Sequence, residues 1–200
     1  MKIFYSIMLI LIFNSNHLFS QSKYIFRCRE DVLVLSESIA LSEAGTIENK
    51  NNSGEVEKYL KSAGLSKGQP YCAAGQYYCF AEAVRILHLP VQLIPIKKTG
   101  NANQMFEHGI QNEIKSKYVL SKHDLIVWRK GKSKRGHIER VIIPGKAGWA
   151  TTVGFNVRIY APYKYKYVEG VFIMQRNIYH PLNRMKVRGI IGFTVITGRK

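Results

Sequence analysis

The chain has 200 residues, 46% of them hydrophobic, which is enough for one domain with a real core. It carries 30 Lys+Arg against 13 Asp+Glu, a net charge of +17 at pH 7. No repeat or low-complexity segment is present, and past the N-terminus no stretch is long and apolar enough to span a bilayer, so a repeat array and a multi-span membrane protein are excluded.

The charge is unevenly placed. Residues 1–114 hold 11 Lys+Arg against 10 Asp+Glu, whereas residues 115–200 hold 19 against 3. A field that basic attracts polyanions: nucleic acid, anionic lipid, or the phosphates and carboxylates of a cell envelope. The plainer reading is a solvated basic face that keeps a secreted protein in solution.

Residues 1–20 have the form of a secretory signal. Lys2 is a short basic region, Ile3 to Phe13 is apolar, and Ser20 is a small residue before a cut at Gln21. The apolar run is short for a bilayer span. The expectation is a secreted or periplasmic protein whose residues 21–200 form a single domain. The exported form keeps Cys28, Cys72 and Cys79, an odd count that leaves one thiol unpaired. There is room for one disulfide, Cys28 to Cys79. No cysteine or histidine cluster has zinc spacing, so no metal is expected.

Asp31 to Ala44 reads as a helix, with Val32, Leu35 and Ile39 at helical spacing and Gly45 stopping it. Thr46 to Ser53 is a polar loop, and Gly54 to Ala63 a second short helix. Gly68-Gln69-Pro70 then turns the chain into a small-residue helix that opens at Cys72, runs to about Leu87 and ends before Leu89-Pro90. Ala102 to about Lys117 suggests a further helix. Strands follow at Asp124–Trp128, Gly136–Ile143, Trp149–Val153, Val168–Gln175 and Gly189–Ile196, with a basic hairpin-like loop from Arg129 to Arg135. Tyr160 to Tyr167 is aromatic and basic, which suits a groove wall or edge strand better than base stacking. Helices first and strands after predict an α+β fold, helices packed on an antiparallel sheet.

A cysteine at the start of a helix meets unpaired backbone N–H groups and the positive end of the helix dipole. Both favour the thiolate, which is the nucleophilic form. Cys72 is therefore a candidate nucleophile, and a small buried packing residue is the competing reading. A cysteine hydrolase also needs a base and a group that orients it. His137, opening a strand after Gly136, is the histidine best placed downstream. Glu139 lies two residues on and shares its face of the strand.

The series G-x-P-Y-C-A-A-x-x-x-x-C, then D-L-I-V-W, G-H-I-x-x-V and T-T-V-G-F-N resembles the CHAP family of cell-wall amidases and endopeptidases. It is also similar to the related NlpC/P60 cysteine peptidases, which share a papain-like core. The resemblance covers roughly residues 35–195 and implies a papain-like fold, no cofactor, and peptidoglycan as substrate. It puts the nucleophile at Cys72, the base at His137 and the orienting residue at Asn156. Glu139 is the alternative orienter. The Cys72 N–H is one oxyanion donor, and Gln69 or Tyr71 supplies another. Relatives often carry Thr-Val-Glu-Gly-Asn where this chain has Thr152-Val-Gly-Phe-Asn156, so their Glu falls on Gly154. Glu139 and Arg140 replace small or apolar residues, and Gly75 replaces an aromatic one. The leading expectation is an exported monomeric amidase or endopeptidase on peptidoglycan. The alternative is a catalytically weakened module of the same fold that binds wall, anionic envelope polymers or lipid; nucleic acid is the least expected partner.

Overall fold

A computed structural model describes residues 22–196, and the signal-like segment 1–20 lies outside the described residues. Strand β1 (Ser22–Arg29) runs straight into helix α1 (Glu30–Ser42). Helices α2 (Glu57–Ser62), α3 (Cys72–Ile86) and α4 (Ala102–Asn112) follow. Then come β2 (Ile114–Ser116), β3 (Leu125–Arg129), β4 (Gly136–Pro144), β5 (Trp149–Ala161), β6 (Lys166–Asn177) and β7 (Lys186–Ile196). The strands form one sheet in the order β2-β1-β7-β3-β4-β5-β6. The class is α+β. Among the described residues no helix is long and apolar enough to cross a membrane.

The sheet is mixed, where the sequence predicts an antiparallel one. β1 pairs in parallel with β7, from Ser22 opposite Gly189 to Arg29 opposite Ile196. Parallel neighbours need a long crossover, and nearly the whole chain separates these two. The strand at 22–29 carries three cations and no clean alternation, so periodicity hides it. One of them, Lys23, is buried and ion-paired 2.7 Å from Asp124 at the entrance to β3. A buried cation survives only with such a partner. α4 stops at Asn112, short of the expected Lys117, because Ile114–Ser116 is recruited to the edge of β1. β5 runs on past Val153 to Ala161, and the Tyr160–Tyr167 run is the end of the β5–β6 hairpin, Tyr160 opposite Tyr167.

α3 is the helix around which the core assembles. Its small residues let neighbours close in, and Cys72 through Tyr77, Cys79, Phe80, Ala83 and Val84 are all buried. At Gly75 the approach leaves no room for a side chain: a Cβ there would lie 2.2 Å from the Phe155 ring of β5. The helix ends with His88 in the left-handed conformation at φ 52°. His88 N–H then donates to Arg85 C=O at 3.1 Å and Leu89 N–H to Val84 C=O at 2.9 Å. This double closure satisfies the last carbonyls, and Pro90 prevents continuation. One hydrophobic cluster joins α1, α2, α3 and α4 to the sheet; a smaller one, around Ile126, Trp128, Val141 and Ile178, fills the far side.

Candidate active site

The chain entering α3 is tied down at three points. Asn52 Nδ2 donates to Gln69 C=O at 3.1 Å. The Tyr71 ring is wholly buried against Tyr59, centroids 5.7 Å apart. Tyr71 N–H donates to Asn156 Oδ1 at 3.1 Å. These ties fix Cys72 as the first residue of α3. Cys72 is only 5% exposed, yet it lines a cleft of about 730 Å³ with Gln69, Pro70, Asn101, Lys134 and Gly136.

β4 brings the base to the thiol. The Cys72 side chain lies close enough to the buried His137 imidazole to favour its protonated form. His137 Nε2 lies 3.0 Å from Glu139 Oε1. Glu139 is wholly buried and fully used. Its Oε2 accepts from Thr152 Oγ1 at 2.6 Å. Arg176 Nε donates to both carboxylate oxygens, at 3.1 and 2.9 Å, and its Nη2 to Oε1 at 2.7 Å. Burial alone would push the Glu139 carboxyl up; the bonds from His137 and Arg176 instead hold it down at about 2. Burial would push His137 down, but its bonds to Cys72 and Glu139 and their charges lift it to about 9. The site therefore favours an imidazolium, held between a thiol and a carboxylate.

Among the described residues no hydrogen bond joins Asn156 to His137. Asn156 sits in a bulge of β5 between Gly154 and Val157, with left-handed φ 58°, and its Oδ1 accepts from Tyr71 N–H. Asn156 and His137 line one smaller cavity, but Glu139 holds the ring. Gly154 gives the reason. It pairs directly opposite Glu139, and a Cβ there would come 2.9 Å from the Glu139 side chain. Gly154 leaves the space that the carboxylate of the neighbouring strand fills.

Of the two further oxyanion candidates, only Gln69 lines the cleft with Cys72; the Tyr71 N–H is already bonded and its ring is buried. No backbone carbonyl takes the Cys72 N–H among the described residues. Cys28 and Cys79 are buried free thiols, so no disulfide forms between them. Burial pushes both thiols up, Cys28 to about 12, so neither competes as a nucleophile.

Arg140, adjacent to Glu139, points to the opposite face and belongs to the core. It donates to Ser36 Oγ at 2.9 Å and Leu33 C=O at 2.8 Å, and its guanidinium lies 4.9 Å from the Phe80 ring centroid. His123 Nδ1 faces both Arg140, at 3.1 Å, and Glu37, at 2.7 Å. Burial and the Arg140 charge push this imidazole down to about 4, against the opposing pull of Glu37. Sequence reasoning missed Arg176 and Thr152, the two residues that hold Glu139. Their strand-facing positions gave no signal, because their meaning depends on the β4–β5–β6 register. No family model, curated protein or solved structure gives a significant match to this chain.

Proposed function

We propose that this protein is a cysteine hydrolase of papain-like architecture that cleaves amide bonds in peptidoglycan, as amidase or endopeptidase. The carrying observation is the chain of contacts Cys72–His137–Glu139–Arg176, at a helix N-terminus and beside an open cleft. A buried packing cysteine has no need of a buried imidazole backed by a buried carboxylate. Desolvating that pair is costly unless it does chemistry or is fully satisfied.

In the reaction, Cys72 sulfur attacks the scissile carbonyl carbon. The oxyanion that forms takes hydrogen bonds from the Cys72 N–H and the Gln69 amide. His137 gives its proton to the leaving nitrogen, the C–N bond breaks, and the amine departs, leaving an acyl-thioester. A water then gives a proton to His137 and adds to the thioester. The carboxylic acid leaves and the protonated imidazole and thiolate are restored. Glu139 keeps the imidazole oriented and supports its charge, the role the resemblance gives to Asn156.

Peptidoglycan as substrate rests on the family resemblance, the signal-like N-terminus and the basic second half. The departures that favour a weakened binding module lose weight, since Gly154 and Glu139 complement each other and Arg140 belongs to the core. The test is digestion of isolated sacculi by mature protein beside Cys72→Ala. Release of new amino groups by the first alone supports the reading, and equal release by both refutes it. Reactivity gives a substrate-free check. Iodoacetamide should modify Cys72 faster than it modifies free cysteine under the same conditions.

A further inference from the structure

Two cavities meet at the thiol–imidazole pair, sharing Gly136 and Met185 as their boundary. The larger, of about 730 Å³, is lined by Cys72 and not by His137. The smaller, of about 410 Å³, is lined by His137 and not by Cys72. In amide cleavage the acyl carbon bonds to sulfur and the amine takes its proton from the imidazole. The larger cavity is thus the acyl side and the smaller one the amine side. This assignment rests on the hydrolase reading above.

The two sides differ in charge. On the amine side both cations face carboxylates. Arg176 is bonded to Glu139 at 2.7 Å, and Arg158 faces Glu169 at 3.9 Å. On the acyl side the charged lining residues are Lys134 and Arg135 alone, with no carboxylate in the wall. Neither has an acidic partner among the described residues.

Their backbone is nonetheless held. The buried Asn103 donates from Nδ2 to Lys134 C=O at 3.1 Å, and Asn101, which caps α4, reaches the same carbonyl at 3.4 Å. Arg135 N–H donates to Ser133 Oγ at 3.2 Å, and Arg129 closes the loop on Ser133 C=O and Lys132 C=O at 3.1 and 2.7 Å. Gly136 permits this closeness, since a Cβ there would meet Asn103 Nδ2 and Trp128 C=O at 2.8 Å. Two unpaired cations on a fixed hairpin, opening into a cleft that lacks negative charge, are complementary to a carboxylate.

We propose that Lys134 and Arg135 are specificity-determining residues that select an acyl donor carrying a free carboxylate close to the scissile carbonyl. The substrate class is accordingly an acidic peptide cut on the carboxyl side of its anionic residue.

The test uses two chloromethyl ketones that alkylate an active-site thiol, one with N-acetylglutamate and the other with N-acetylglutamine on the acyl side. Intact mass identifies the label on Cys72. At low ionic strength the wild type should react about fivefold or more faster with the glutamyl reagent. Lys134→Ala/Arg135→Ala should bring that ratio close to one. Lys130→Ala/Lys132→Ala removes the same charge from parts of the hairpin outside the cleft wall and should keep most of the preference. A wild-type ratio near one overturns the proposal, as does an equal loss in both double variants, which would trace the effect to the general field. Iodoacetamide, which is neutral, reports thiol reactivity separately. A wild-type rate no faster than that of free cysteine counts against the hydrolase reading, while the glutamyl-to-glutaminyl ratio still decides the cation site.

Discussion

Glu139→Gln keeps the shape of the side chain and removes its charge. In the wild type, His137 is lifted from 6.5 to about 9 against the opposing effect of burial. At about 1.4 kcal/mol per pH unit this lift is on the order of 3 kcal/mol, shared between Cys72 and Glu139. Taking roughly half for Glu139, the substitution should lower the His137 midpoint by about 1–2 pH units. The sign for stability follows from the same shifts. A raised His137 stabilises the fold below about 6.5, and that contribution is lost as pH rises to about 9. A lowered Glu139 stabilises it above about 4.5, and that contribution is lost as pH falls to about 2. The pair therefore contributes fully between about pH 4.5 and 6.5. The variant also leaves the guanidinium of Arg176, whose side chain is 15% exposed, without its carboxylate. Removing one partner of a buried pair costs about 3–5 kcal/mol, and Arg176's access to water puts this case at the low end. The assay is histidine-selective NMR titration of the imidazole nitrogens, with thermal melts to establish that the variant is folded. A folded Glu139→Gln protein whose His137 midpoint stays at the wild-type value would refute the orienting role of Glu139.

Asn156 and Gly75 give two contrasting tests. Asn156→Gly keeps the left-handed backbone and removes the bond to Tyr71 N–H, so it should cost about 1 kcal/mol in chemical denaturation; Asn156→Ala should cost about 1 kcal/mol more. Both should leave the His137 midpoint in place, and a fall as large as that from Glu139→Gln would return the orienting role to Asn156. Gly75→Ala forces a Cβ to within 2.2 Å of the Phe155 ring. Overpacking costs about 1–3 kcal/mol, offset by up to about 1 kcal/mol of helix propensity. The melting temperature should drop by several degrees at about 2–4 °C per kcal/mol, and a rise would show that α3 and β5 do not pack so closely.

Local chemistry carried much of this chain into view. Pro70 before Cys72, the alanines after it, and Leu89-Pro90 beyond its end mark α3, because small residues and chain breakers act on their own neighbours. The alternation of His137 and Glu139 with Ile138 and Arg140 tells which two share a face of β4, because side-chain direction along a strand has period two. The candidate pair Cys72 and His137, and Glu139 as one of two orienters, were legible on those grounds. Long-range register was not. That β1 lies parallel to β7, that Gly154 faces Glu139, and that Arg176 reaches it from β6 depend on which strands become neighbours. A bulge turned Asn156 toward Tyr71, and a single glycine let a carboxylate from the adjacent strand take the place beside His137. The sequence by itself determined which groups were available for the chemistry. Only the tertiary structure decided which carboxylate or amide holds the imidazole, because that choice is made by strand pairing and the space between packed side chains.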